Sequence, residues 1–205
     1  MENFLLACAH LDPLAIVRAG GYAGVALLVF AESGLLIGIF LPGDSLLFAA
    51  GLLAGSGLLR YLPLATVVAL AAILGDTVGY WFGRRVGSAL FKRPDSRLFK
   101  REYLERTERF YTTYGPRAVL LARFVPIVRT LAPVLAGVAR MRYATFLSYN
   151  MLGGIIWGAG VVSLGYFLGT AVPGIQHYVL PISLGIIVVS FLPIALNIVR
   201  GRRAL

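Results

Sequence analysis

The sequence predicts an all-α polytopic membrane protein: about four transmembrane helices plus two re-entrant helical hairpins that face each other, arranged as an inverted-topology repeat. Three observations carry this reading. Of 205 residues, 59% are hydrophobic and only 14% charged, against about 25% charged in soluble domains, and the mean hydropathy is +0.82. No Asp, Glu, Lys or Arg lies between Arg142 and Arg200, which leaves room for two spans of roughly 20 apolar residues each. Two further apolar stretches are interrupted by Pro and Gly beside charged side chains. Lipid cannot hydrogen-bond exposed backbone, so such breaks survive at membrane depth only where protein or a water-filled cavity covers them.

Residues 1–13 read as a short interfacial lead-in. Cys8 is the only cysteine, which excludes a disulfide framework and a cysteine-based metal site. The LLAC run at 5–8 lacks a basic n-region and an apolar h-region, so no cleaved signal is expected. A first tilted span covers 14–32 and ends at Glu32. The next stretch, 33–57, contains FLPGDSLLFAAG at 40–51. It is broken at Pro42-Gly43 and too short on either side to cross alone, which describes a hairpin. Asp44 and Ser45 are suited to cap a half-helix over 46–54.

A span over 61–82 carries one acid, Asp76. Tyr80 and Trp81 followed by Arg84 and Arg85 mark its end as interfacial; Asp76 and Arg84 are accessory candidates for a site, or Asp76 simply pairs with Arg84 near this helix end. In the linker, 84–113, the basic side chains Arg84, Arg85, Lys92, Arg93, Arg97, Lys100, Arg101, Arg106 and Arg109 outnumber Asp95, Glu102, Glu105 and Glu108. Lys and Arg accumulate on the cytoplasmic side of short loops, which places the linker there. Leu98, Phe99, Tyr103 and Phe110 recur at helical spacing, with i,i+4 pairs Glu102–Arg106 and Glu105–Arg109, so an interfacial amphipathic connector is expected.

The second interrupted stretch is RFVPIVRTLAPVLAG at 123–137, with Arg123 and Arg129 and expected breaks at Pro126 and Pro133. Arg140 and Arg142 return it to the basic side from which it entered, again a hairpin. Spans over 143–169 and 178–199 follow, joined by an uncharged turn at Pro173-Gly174. The basic tail Arg200-Gly-Arg-Arg203 puts the C-terminus in the cytoplasm. The net charge of +10 thus reports topology rather than nucleic-acid binding. All of 1–205 forms one membrane domain: repeat 1 over about 14–83, the linker, repeat 2 over about 114–170, and the last span.

The repeat is visible in register. Phe40-x-Pro42 matches Phe124-x-Pro126 at an offset of 84, whereas Ala50-Gly51 matches Ala136-Gly137, and Gly79-Tyr80-x-x-Gly83 matches Gly165-Tyr166-x-x-Gly169, both at 86. A two-residue insertion in the second hairpin relates the three blocks. Span 61–82 ends on the basic side and span 143–169 begins there, so equivalent spans run in opposite directions.

Inverted repeats with broken helices place a substrate site where the interrupted segments meet. One hairpin brings Glu32 and Asp44, the other Arg123 and Arg129. Four ionisable groups in a bilayer, each unfavourable by about 2.5–3.5 kcal/mol at a helix centre even on the lenient insertion scale, need partners. They would form either structural salt bridges or a transport site. Arginine's planar fork suits phosphate, and a half-helix starting after Pro126 adds free amides for an anion. A carboxylate in the same cavity would carry a proton. Enzymatic chemistry is not expected: His10 and His177 lie at membrane edges, outside any metal-spaced cluster, and nucleophile elbow, P-loop and dinucleotide fingerprint are all missing. No cofactor or metal is implied. A proton-dependent transporter of a small cation and a non-transporting scaffold are the alternatives, which the paired arginines and the charges in unwound segments disfavour.

Glu32, FLPGDSLLFAAG at 40–51, Gly75-Asp76 with Tyr80 and Gly83-Arg84, RFVPIVRTLAPVLAG at 123–137 and Trp157 together resemble the DedA family, also called SNARE-associated or VTT-domain proteins, over residues 20–170. The resemblance implies a bacterial inner-membrane protein with two facing re-entrant hairpins that moves lipids across the bilayer. It implies undecaprenyl phosphate in bacterial relatives and phospholipid scrambling in eukaryotic ones. The family's essential acids and arginines fall by motif on Glu32, Asp44, Arg123 and Arg129.

Overall fold

The computed structural model describes residues 13–34, 43–90, 111, 113–123 and 126–171. Pro42, the linker over 91–110 and the last expected span, 178–199, lie outside the described residues. Among those described, six helices and no strand occur: α1 Pro13–Gly34, α2 Gly43–Gly55, α3 Tyr61–Leu90, α4 Arg117–Ala122, α5 Pro126–Val138 and α6 Tyr143–Ala171. Three of them are long and apolar enough to cross a bilayer, over Ile16–Gly34, Tyr61–Val86 and Tyr143–Ala171. Three of the four expected spans are therefore present.

Two helix starts have a local cause. Pro13 and Pro126 open α1 and α5, where a missing N–H leaves no helical bond unmade. Gly21 inside α1 adopts φ 52, ψ −145, a backbone state that glycine tolerates and that kinks the helix. At 13 residues each, α2 and α5 are about 20 Å long at the helical rise of 1.5 Å per residue. That is too short for a hydrocarbon core of about 30 Å. Nearly the whole of α2 is buried, from Ser45 to Ala54 on every face, as expected of an apolar half-helix enclosed by protein.

Both half-helices end in the same way. Leu58 N–H donates to the Leu53 carbonyl and Gly57 N–H to Ala54, with Gly57 at φ 85. After α5, Met141 donates to Ala136 and Arg140 to Gly137, with Arg140 at φ 55. These are Schellman caps, the second using an arginine where glycine is usual.

The expected break at Pro133 is not present, since α5 continues through it. A proline in a helix removes one donor and presses on the preceding turn. Here its ring faces Gly79 of α3, whose added Cβ would lie 3.4 Å from Pro133 Cβ, so the neighbouring helix leaves room for it.

The chain forms two compact units, Met1–Val25 with Pro42–Ala65 and Val161–Leu205, and Ala26–Leu41 with Thr66–Gly160. In the first, α2 lies against the end of α6. Gly51 meets the backbone of Val162 and Gly165, and Gly55 meets Gly169, a small-residue contact that brings two backbones together. Tyr61 packs on Tyr166 at 4.8 Å and shares a 2.7 Å hydrogen bond with Ser163. In the second unit, Gly75, Gly79 and Gly83 recur every fourth residue along α3. Gly75 lies against α1 at Phe30 and Gly34, Gly83 against Val134 of α5, and Gly137 of α5 against the Tyr80 carbonyl. Tyr80 is fully buried, stacked on Phe146 at 4.6 Å.

In both units a 13-residue helix rests by glycine contacts on a long helix distant from it in sequence. Because backbone faces each glycine, overpacking of about 1–3 kcal/mol or more is expected at either site. Gly51→Leu and Gly137→Leu should each lower the unfolding temperature of the purified protein in detergent, while Gly160→Leu, whose Cβ would meet open space, should not.

Candidate functional site

The second unit gathers ionisable side chains from four helices and two polar or aromatic partners from a fifth. Glu32 lies near the end of α1, Asp76 in the middle of α3, Arg123 at the C-cap of α4, Arg129 one turn into α5, and Asn150 and Trp157 seven residues apart on one face of α6. Glu32, Asp76 and Arg123 are only 3–5% exposed, and Asn150 is fully buried.

Two ion pairs form. Arg129 Nη2 pairs with Glu32 Oε1, and its guanidinium stands 4.6 Å from the centre of the Trp157 ring, a cation–π geometry that strengthens on desolvation. Arg123 Nη2 donates to Asp76 Oδ2 and to Asn150 Oδ1. Asn150 Nδ2 in turn donates to the Ile73 carbonyl at 3.0 Å. Arg123 Nε has no hydrogen-bond partner among the described residues.

Glycines shape the slot. An added Cβ at Gly153 would sit 2.7 Å from Arg123 Cδ and 2.9 Å from its Nε, and one at Gly154 would come within 3.6 Å of Nη2. Only a Gly-Gly step on α6 leaves space for this guanidinium. On the other side, the close approach of Gly34 and Gly75 brings the acid-bearing turns of α1 and α3 together.

Four of the sequence-selected residues, Glu32, Asp76, Arg123 and Arg129, are thus assembled in one unit. Asp44 belongs to the other unit, half-buried in the first turn of α2, where a carboxylate favours the positive end of the helix. Gly43 and Pro126 begin α2 and α5 as expected of the breaks. Asp76 does not pair with Arg84. Eight residues separate them, about 12 Å along a helix, and Arg84 instead donates to the Tyr80 hydroxyl at 2.8 Å and lies over Trp81. Sequence reading overlooked Asn150 and the Gly153-Gly154 step. The signal was present: Asn150 is the one carboxamide in the 143–169 span, and an amide in lipid needs partners.

Chemically, the site is two acid–guanidinium couples of zero net charge in surroundings that solvate ions poorly. An anion can meet Arg123 at its unpartnered Nε–H or displace a carboxylate, and a displaced carboxylate remains there only by taking a proton or another cation. Among the described residues no group of His, Cys, Asp and Glu is placed to hold a metal.

Comparison with known proteins follows the same residues. The VTT domain family matches residues 41–167. Protein DedA of Escherichia coli is 45% identical over 185 residues, covering 89% of this chain and 84% of the relative. An uncharacterized membrane protein of Mycobacterium tuberculosis is 47% identical over 202 residues, covering 95% and 88%, and one of Synechocystis is 38% identical over 159 residues, covering 77% and 71%. No solved structure matches this chain.

Removing one member of a buried ion pair leaves the other uncompensated, at about 3–5 kcal/mol. Glu32→Gln and Arg129→Gln should therefore each destabilise the protein strongly. The double variant should be more stable than the sum of the two predicts, as measured by thermal unfolding in nanodiscs.

Proposed function

Because the chain belongs to the DedA family of VTT-domain membrane proteins, we propose that it is a transporter carrying a lipid phosphate across the bilayer, with Arg123 and Arg129 receiving the headgroup. The observation that carries this reading is the Glu32–Arg129–Trp157 cluster: a guanidinium held by one carboxylate and one indole face. A guanidinium can take two phosphate oxygens in register, so a phosphate competes with the Glu32 carboxylate for Arg129. Glu32 takes up a proton as it is displaced, and the site stays neutral through the exchange. That step links lipid movement to protons. Asp44, at the start of the other half-helix, is the second proton-binding carboxylate. The acyl chains remain in the bilayer.

The architecture we propose for this function is a pair of re-entrant hairpins in an inverted-topology repeat, set in the bacterial inner membrane with the basic linker and C-terminus in the cytoplasm. Its support is the matched construction of α2 and α5. Both are 13-residue half-helices with Schellman caps, and both rest by glycine contacts on the long helix of the opposite repeat, Gly51 on Gly165 and Gly137 on Tyr80. Undecaprenyl phosphate is the cargo that the family resemblance favours. A structural scaffold is the competing reading, favoured by the neutrality of both ion pairs. It requires no lipid movement at all.

Headgroup accessibility in proteoliposomes tests the proposal. With undecaprenyl phosphate or phospholipid as cargo, wild type should transport. Arg129→Lys, Arg123→Ala, Glu32→Gln and Asp44→Asn should each lose about tenfold or more, the consequence of removing one charged hydrogen-bonding partner. Transport unchanged in all four variants would refute it. Wild-type transport should vary with pH, and Glu32→Gln should flatten that dependence.

A further inference from the structure

We infer that Asn150 is a positioning residue for Arg123, holding the guanidinium so that its Nε edge is left for an anionic oxygen of the cargo. The consequence for transport rests on the function proposed above; the positioning itself rests on geometry alone. Asn150 is fully buried in α6 and linked at both ends. Its Oδ1 accepts from Arg123 Nη2, and its Nδ2 donates at 3.0 Å to the Ile73 carbonyl on α3.

The orientation of the amide is not arbitrary. A carbonyl can only accept and a guanidinium can only donate, so the amide nitrogen must face Ile73 and the oxygen must face Arg123. No other uncharged side chain of this size offers both functions at that spacing. Ile73 and Asp76 occupy adjoining turns of α3, so Arg123 is fixed to one helix twice: directly through Asp76, and through Asn150 to the Ile73 carbonyl. Both acceptors engage Nη2. The Nε–H of a residue only 5% exposed is left without a partner among the described residues, in a protein where buried donors are nearly always satisfied. An oxygen brought in by the cargo would supply what is missing. Gly153, against Arg123 Cδ and Nε, puts no side chain of its own on this edge.

The charged groups of this cluster are Asp76 and Arg123, with Glu32 and Arg129 as the neighbouring pair. Asn150→Asp nearly preserves shape. When protonated, the introduced carboxyl still accepts from Arg123 and donates to Ile73. When ionised, it gives nothing to Ile73 and repels Asp76 but still accepts from Arg123.

Phenylglyoxal labelling of arginines in proteoliposomes, read by peptide mass, tests positioning independently of transport. Asn150→Ala should raise labelling of Arg123 about tenfold, the scale expected for loss of a hydrogen bond to a charged group, with Arg129 unchanged as internal reference. Asn150→Asp, which keeps an acceptor for Arg123 Nη2 at every pH, should hold Arg123 labelling well below that of Asn150→Ala. Equal Arg123 labelling in wild type and Asn150→Ala, or labelling in Asn150→Asp raised as far as in Asn150→Ala, overturns the inference. Shifted labelling with no transport by wild type upholds the positioning role and rejects the transport reading instead.

Discussion

Ions in a medium that cannot solvate them must be compensated where they stand, and the second unit is built around that constraint. Glu32 is held by Arg129 and Asp76 by Arg123, each pair closed within a few ångströms and shielded from solvent. Four helices must converge for these contacts to exist. Buried pairs of this kind contribute little net stability over an apolar core, yet disrupting one is severely destabilising. They specify an arrangement and penalise every other. A cluster that is neutral and closed at rest can also be opened by a competing anion, provided that a proton follows the displaced carboxylate.

The convergence depends on glycine. Gly34 against Gly75, Gly83 against Val134 and Gly153 beside Arg123 bring backbones and a guanidinium to distances that no Cβ allows. In the other unit the same device seats α2 on α6 through Gly51, Gly55, Gly165 and Gly169. Lipid supplies no hydrophobic force between helices, so close van der Waals contact and polar contacts must hold them together. One packing solution thus recurs in both units, a short helix seated by glycines on a long one.

Much of this was legible in the sequence because its causes are local. Pro126 and Gly43 open the half-helices where the breaks were expected, and the 143–169 span lies within α6, Tyr143–Ala171. Glu32, Arg123 and Arg129 stood out because charge in an apolar run is expensive. What escaped was set by tertiary contact. Pro133 reads as a breaker, but Gly79, more than fifty positions away, makes room for its ring. Asp76 seemed closest to Arg84 in sequence, yet its partner comes from α4. Asn150 carries no charge and so raised no alarm, although it ties Arg123 to α3. Arg140 ends α5 in a left-handed conformation that its residue type gave no reason to expect.

The function proposed above requires a lipid phosphate to reach the guanidiniums of Arg123 and Arg129. Solid-state NMR can measure it directly, as dipolar coupling between lipid phosphorus and arginine side-chain nitrogen in protein labelled with 15N-arginine and reconstituted with undecaprenyl phosphate. The account predicts phosphorus–nitrogen contacts at hydrogen-bonding range that disappear on Arg123→Lys or Arg129→Lys in turn, and that weaken when Glu32 is held ionised at high pH. Transport that proceeds with no such contact at either arginine would contradict it.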